Sequence, residues 1–314
     1  MKAYFSDHFE LPLPAGHRFP MAKYRLLRDR VASELPTVEL VSAAAATDGV
    51  LALGHTPDWI ERLSLGRLTD LEQRAIGFPW SPAMVERSRR SVGATIEACR
   101  SALAEGAAAN LAGGTHHAGP DRGEGFCCFN DVAVAARLMQ AERRAKRVAI
   151  VDLDVHQGNG SAAILARDDS VFTLSIHGAR NFPFRHRTAG DLDMDLPDGT
   201  SDDAYLEALG QALSELARRF VPDLLIYLAG ADVFVEDRLG RLALTAAGIA
   251  ERDRRVFGFA RVRGLPVAVV MGGGYCPQID KVVAIHLETV RIAAGHRIGP
   301  VRDAQPPDAQ PPGA

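Results

Sequence analysis

Long hydrophobic runs are missing from this 314-residue sequence. No stretch approaches the roughly 18 apolar residues that a membrane-spanning helix requires. The N-terminus also lacks the basic segment followed by an apolar run that marks a signal peptide. We therefore expect a protein that has no membrane partner and works in the cytoplasm.

Cysteine is scarce as well, and its four positions are Cys99, Cys127, Cys128 and Cys276. None belongs to a C-x-x-C pair, which argues against a zinc site built from cysteine. We expect Cys127, Cys128 and Cys276 to be small buried core residues rather than redox sensors.

Lysine accounts for only four of the 36 basic residues. Together with a high alanine content, this preference for arginine is typical of bacterial genomes rich in G and C. The net charge is −3, so the charge balance does not indicate a surface that binds nucleic acid or membrane. The composition is otherwise that of an ordinary globular protein, with 47% hydrophobic and 24% charged residues.

Short runs rich in valine, isoleucine and leucine alternate with longer amphipathic stretches. The predicted strands are 148–153, 171–176, 224–229 and 267–271, and the predicted helices are 82–104, 131–145, 202–220 and 245–263. Runs that are hydrophobic throughout are typical of strands buried on both faces of a parallel sheet. The alternation predicts an α/β fold with right-handed crossovers. We expect one domain over residues 1–298 and a mobile, proline-rich tail over residues 299–314.

Acidic and histidine side chains follow two of these strands. Asp152, Asp154 and His156 come at alternate positions directly after an apolar run, so they share one side of the chain. Burying two carboxylates beside an imidazole is costly unless a positive group pairs with them. Asp232, which follows the run 224–229, adds a third candidate metal ligand to Asp154 and His156. Two aspartates and one histidine would leave an open position on a catalytic metal.

Glycines flank the other candidate residues. His116 and His117 follow Gly113-Gly114-Thr115, and Tyr275 follows three consecutive glycines. Glycine permits a close approach between the backbone and a ligand. In open α/β sheets such side chains gather beyond the carboxyl ends of the strands.

Read together and in this order, the motifs GTHHAG, DLDVHQGNG, AGAD and GGGY resemble the zinc-dependent histone deacetylase family, which includes acetylpolyamine amidohydrolases and acetoin-utilisation proteins. The segments HRFPMAKY, DRGEGFCCFND and DRLGRL look most like the class IV branch and its bacterial relatives. The resemblance covers nearly the whole chain. It implies a single arginase/deacetylase-type α/β domain, with a central, mostly parallel sheet of about eight strands flanked by helices.

Carried over residue by residue, the resemblance implies a role for each member of the site. The implied zinc ligands are Asp154, His156 and Asp232, which would also suit Fe²⁺. The implied catalytic residues are His117 as general base and then acid, His116 as an electrostatic group oriented by Asp152, Tyr275 as the donor to the substrate oxygen, and Asn159 as the partner of His117. Some relatives carry aspartate in place of Asn159, so a lower pKa is expected for His117 here.

The resemblance also implies a substrate channel and a second ion. The channel residues are Gly125 and Phe126 in the wall and Leu239 as gatekeeper. A structural potassium ion would be held by Ser175 and Ile176 with the backbone of Asp152, Asp154 and His156. His17 and Arg18 are candidates for an inner cavity that releases the acid product.

The implied activity is hydrolysis of acetyl or longer acyl groups from the lysine side chains of proteins or peptides. An acetylpolyamine deacetylase is the first alternative: apolar Leu239 disfavours it, but Glu236 and Asp237 lie nearby. A ureohydrolase with two manganese ions would need more carboxylates than Gln157 and Asn159 provide. A silent acyl-lysine-binding scaffold should have lost a ligand or a catalytic residue. The loop 77–82 lacks the aspartate with which many deacetylases hold the substrate backbone, and the sequence does not indicate an oligomeric state.

Overall fold

The computed structural model describes residues 1–8 and 10–298. Over these residues the chain forms eight strands: β1 (Lys2–Phe5), β2 (Glu39–Ser42), β3 (Ala107–Asn110), β4 (Val148–Asp152), β5 (Val171–Gly178), β6 (Leu192–Leu196), β7 (Leu224–Ala229) and β8 (Val267–Met271). The predicted tail over residues 299–314 lies outside the described residues.

The same part of the chain forms ten helices. They are α1 (Lys23–Glu34), α2 (Asp48–Leu51), α3 (Pro57–Ser64), α4 (Asp70–Ile76), α5 (Pro82–Glu105), α6 (Asp131–Ala141), α7 (Asn159–Leu165), α8 (Asp202–Arg219), α9 (Ala246–Val262) and α10 (Ile279–Ala294). No helix among the described residues is long and apolar enough to span a membrane.

The strands form one sheet in the order β2-β1-β3-β8-β7-β4-β5-β6, and every pairing is parallel. The predicted α/β fold with a central sheet of about eight strands is confirmed. All four predicted strands are present, within two residues of their predicted ends.

Both faces of the sheet are covered, which explains the unbroken hydrophobicity of the central strands. In β7, Leu225 and Tyr227 pack into the core on one face, and Ile226 and Leu228 pack into the core on the other. Side chains alternate along a strand, so a strand covered on both sides needs apolar residues at successive positions.

Three of the four predicted helices begin and end within one residue of the observed ones, whereas α6 ends at Ala141, four residues before its predicted end. Asn130 caps α6 through its side chain and Thr245 caps α9. Ser201 precedes α8 but makes no side-chain cap. The carboxylate of Asp202 instead accepts hydrogen bonds from the backbone N–H and hydroxyl of Thr245, which ties the start of α8 to the start of α9.

Candidate metal centre and active site

Three buried side chains that could hold a metal ion converge beyond the carboxyl ends of β4 and β7. The imidazole Nδ1 of His156 lies 2.8 Å from Asp154 Oδ1 and 3.1 Å from Asp232 Oδ2. One ligand atom from each residue lies within 4.8 Å of the others. Backbone N–H groups of Val155 and Gly273 donate to the remaining carboxylate oxygens and hold both aspartates in place. The structure thus brings together the three predicted metal ligands.

The surroundings of the three ligands fit a metal ion. Asp232 Oδ2 is buried and has no hydrogen-bond partner among the described residues. Burial alone would lower the pKa of His156, but its hydrogen bond to Asp154 and the charges of both aspartates outweigh burial and raise the pKa to about 10. Burial and the charge of Asp154 raise the pKa of Asp232. A buried site with two carboxylates and only one proton-binding imidazole is stabilised by a divalent cation, which takes the place of the proton.

Glycine is required beside these ligands for a steric reason. A Cβ atom on Gly273 would lie 1.7 Å from Asp232 Oδ2. Any side chain at this position would displace the carboxylate. The glycine run before Tyr275 therefore lets the loop after β8 pass directly against Asp154 and Asp232.

The tandem histidines differ in their hydrogen-bond partners. His116 Nδ1 lies 2.6 Å from the carboxylate of Asp152, and His117 Nδ1 lies 2.8 Å from the amide oxygen of Asn159. Burial would lower the pKa of His116, but the charges of Asp152 and Asp154 raise it to about 9. Burial and then the charge of His116 lower the pKa of His117 well below its usual range. His116 is thus suited to be a cation and His117 a neutral base.

Glu124 fixes the orientation of Asn159 and was not among the predicted site residues. The Asn159 amide nitrogen donates to Glu124 Oε1 at 2.7 Å and to the carbonyl oxygen of His186 at 3.1 Å. These two acceptors turn the amide oxygen toward His117, whose Nδ1 must then carry the proton. His117 Nε2 is left with a free lone pair.

Tyr275 stands beside the ligands with its ring centroid 6.3 Å from that of His156. Its backbone N–H donates to Asp237 at 2.6 Å, which anchors the loop after β8. Burial, and then the charges of Asp154 and Asp232, raise the pKa of the Tyr275 phenol well above its usual range. The hydroxyl therefore keeps its proton and can donate a hydrogen bond.

A channel of about 670 Å³ leads from the surface to these residues. Its wall includes the predicted Gly125 and Phe126, both of which have positive φ angles (57° and 66°). Their N–H groups donate to the carbonyl oxygens of Ala75 and Ile76, which holds the strained turn against the end of α4. Phe182, which was not predicted, packs edge-on against the His117 ring with a centroid distance of 4.7 Å. No pattern in the sequence around Phe182 distinguishes it from any other aromatic residue in a loop, so it could not be predicted to line the channel.

Leu239 lines the channel, as predicted for a gatekeeper. Its N–H donates to Asp237, and its carbonyl oxygen accepts from Asn181. Ser175 lies on β5 directly across from Asp152 on β4, with Ile176 next to it. The potassium site at this position stays a prediction.

A smaller inner cavity lies next to Asp154 and His156, and its lining differs from the prediction. Arg18 is exposed and lines the outer channel, whereas His17 hydrogen-bonds the carbonyl oxygen of Gly77, so the assignment of both residues to the inner cavity is wrong. The inner cavity is instead lined by Lys23 and Arg87, among others. Lys23 is 2% exposed and lies over the rings of Phe19, Tyr24 and Tyr275. In the sequence, only the scarcity of lysine distinguished this residue from other basic residues.

Comparison with known proteins agrees with this geometry. Residues 17–290 match the family model described as "Histone deacetylase domain". The chain is 44% identical to an uncharacterized protein of Picosynechococcus sp. over 90% of this chain and 94% of the relative. It is 33% identical to Histone deacetylase 2 of Arabidopsis thaliana over 84% of this chain and 70% of the relative.

A solved structure of an HDAC homologue in complex with SAHA superposes with a TM-score of 0.79 and 26% identity, over 94% of this chain and 84% of the homologue. The resemblance of the four motifs is confirmed over nearly the full length. The chain belongs to the histone deacetylase family and is a hydrolase that acts on amide bonds.

Proposed function

We propose that this hydrolase is a zinc-dependent lysine deacylase, similar to class IV, which removes acetyl or longer acyl groups from lysine side chains of proteins or peptides. The observation that carries the proposal is the buried group of Asp154, His156 and Asp232 at the floor of the channel, with His117 and Tyr275 beside it. The same oxygen and nitrogen ligands would also accept Fe²⁺.

A bound zinc ion would polarise the amide carbonyl and lower the pKa of water. His117 is the base in this proposal, because its Nε2 is free and its pKa is lowered by burial. It takes a proton from the attacking water and delivers it to the leaving amine. Tyr275 keeps its hydroxyl proton and donates a hydrogen bond to the carbonyl oxygen as negative charge develops there. Cationic His116 lies beside His117 and stabilises the same charge.

The channel supports an acyl-lysine better than an acetylpolyamine. A polyamine would require free carboxylates near the gatekeeper. The two acidic residues there, Glu236 and Asp237, already have partners within the protein. Glu236 pairs with Lys281 at 2.6 Å, and Asp237 accepts three backbone hydrogen bonds from Leu239, Gly240 and Tyr275. The walls of Phe126, Phe182 and Leu239 suit the methylene chain of a lysine.

The decisive experiment measures hydrolysis by protein loaded with zinc. The substrates are acetyl- to myristoyl-lysine peptides with neutral flanking residues, together with acetylputrescine. We expect peptide turnover, and a loss of roughly 10²–10³-fold in kcat for Tyr275→Phe at unchanged zinc content, as for the removal of one oxyanion donor. Full activity of that variant would refute the role of the phenol. Turnover of acetylputrescine but of no peptide would show that the enzyme is an acetylpolyamine deacetylase. Zinc binding without turnover of any substrate would indicate a silent scaffold.

A further inference from the structure

The entrance of the substrate channel is lined by positive charge. Five arginines contribute to it: Arg18, Arg74, Arg180, Arg238 and Arg241. Among the described residues that line the channel there is no aspartate or glutamate. We call these five residues the arginine ring. The ring is unexpected in a protein whose net charge is −3.

Most of the ring is not neutralised by neighbouring acids. Arg180 and Arg241 share a single carboxylate, that of Asp198, at 3.4 and 3.3 Å. Arg18, Arg74 and Arg238 are exposed, and within the described part of the chain none of the three forms an ion pair. Five guanidinium groups therefore face one carboxylate around the entrance.

The acidic residues closest in sequence do not offset this charge. Asp237 is turned inward, where it accepts hydrogen bonds from the backbone of its own loop and of Tyr275. Glu236 is paired with Lys281 on α10. The arginine ring therefore produces a positive potential at the entrance that these two carboxylates do not cancel.

We propose that the arginine ring selects acyl-lysines that are flanked by acidic residues. The inference rests on the proposed lysine deacylase activity and names its substrate class. A lysine side chain that fills the channel leaves its peptide backbone at the entrance. At about 3.3 Å per residue, the side chains one to three positions away lie within roughly 10 Å of the ring. Glutamate or aspartate there is attracted, whereas a basic peptide or a polyamine is repelled.

Three acetyl-lysine peptides of equal length, flanked by glutamate, glutamine or lysine, test the inference on the zinc-loaded protein. At low salt we expect kcat/KM to fall in that order, with roughly tenfold or more between the first and the last, mainly through KM. The preference should shrink strongly in about 0.5 M NaCl, because the charges at the entrance are exposed to solvent.

Two variants separate the ring from the overall charge of the protein. Arg74→Gln combined with Arg238→Gln should remove most of the preference and should improve turnover of the lysine-flanked peptide. Arg261→Gln is the matched control. It removes an exposed arginine in the last turn of α9, which leads into the start of β8, so this residue lies near the amino ends of the strands and the channel near their carboxyl ends. Its preference should equal that of the parent protein.

The possible outcomes are distinct. Equal hydrolysis of the three peptides, or a preference that survives the double variant, would overturn the arginine ring as a selectivity device and leave the deacylase proposal standing. Absence of hydrolysis for all three peptides would overturn the deacylase proposal, and this inference with it.

Discussion

Replacing Asn159 by aspartate should move the acidic limb of the pH–rate profile to higher pH, and the shift should be large only if Glu124 is changed as well. The Asn159 amide oxygen accepts a hydrogen bond from His117 at 2.8 Å, and its nitrogen donates to Glu124 at 2.7 Å. Asn159→Asp alone would bring two carboxylates to that shorter distance. Like charges this close do not both ionise, so one of them takes up a proton and the effect on His117 is reduced. We expect the single variant to shift the limb by less than about one pH unit.

Asn159→Asp combined with Glu124→Gln keeps the total charge of the site and moves the carboxylate next to the imidazole. The introduced glutamine amide can then donate to the introduced carboxylate and keep it ionised. An opposite charge in contact typically shifts a pKa by about 1–3 units, and we expect an increase of about 1–2 units for His117. This corresponds to about 1.4–2.7 kcal/mol. A general base must be neutral in the free enzyme, so a higher pKa moves the acidic limb of kcat/KM to higher pH.

The assay is the pH dependence of kcat/KM on one neutral acetyl-lysine peptide, with the metal content verified for each protein. Glu124→Gln alone serves as the control: it keeps an acceptor for the Asn159 amide and should not move the limb upward. If the double variant titrates at the same pH as the parent protein, His117 is not the group that sets the acidic limb, and its assignment as the base is wrong.

Three further predictions concern the supports of the site. Arg252 is fully buried, donates to the carbonyl oxygens of Leu153 and Gly230 and pairs with Asp253. Arg252→Met should therefore lower the free energy of unfolding, measured by urea titration, by about 3–5 kcal/mol. The control variant Arg254→Met, at an exposed position, should change it by less than about 0.5 kcal/mol. A Cβ on Gly125 would lie 2.5 Å from the ring of the second tandem histidine, whereas one on Gly264, at a similar φ, meets open space. Gly264→Ala should lose about 1 kcal/mol of folding stability and Gly125→Ala at least as much, but only Gly125→Ala should lose activity. Equal activity of the two variants would contradict the packing argument. Chelation of the metal should lower the Tm, and added zinc should restore it. For an ion present at 1,000 times its Kd, the lost binding corresponds to about 4 kcal/mol of folding stability. An unchanged Tm would argue against a metal held by Asp154, His156 and Asp232.

The parts of the fold that were predictable are those in which one short stretch carries its own signal. The central strands β4, β5, β7 and β8 are hydrophobic on both faces, and their polar residues come where each strand ends. The edge strand β6 is only partly buried, so no such run distinguishes it. Strands β1 and β2 are four residues long, which is too short for a periodic pattern to stand out.

The unpredicted parts of the site depend on contacts between distant segments. Glu124 reaches Asn159 across 35 positions, and Lys23 reaches the carbonyl oxygen of Gly272 across 249. The arginine ring combines α4 with the loops before α1, after β5 and after β7. An arginine in a loop has no local pattern that distinguishes an entrance from any other surface. The candidate metal ligands were easier to predict because two of them, Asp154 and His156, lie in one segment directly after a strand.

The neutral partner of His117 is consistent with the charge on its neighbour. The rings of His116 and His117 have centroids 4.1 Å apart in a buried site, where two imidazolium cations would repel each other strongly. Asp152 directs the proton to His116, and the charge of His116 in turn lowers the pKa of His117. An aspartate at position 159 would compete for that proton, whereas an asparagine oriented by Glu124 fixes the tautomer of His117 without doing so. The carboxylate of Glu124 is therefore separated from His117 by the side chain of Asn159. It orients the His117 ring through the Asn159 amide, while Nε2 of the ring stays free to accept a proton.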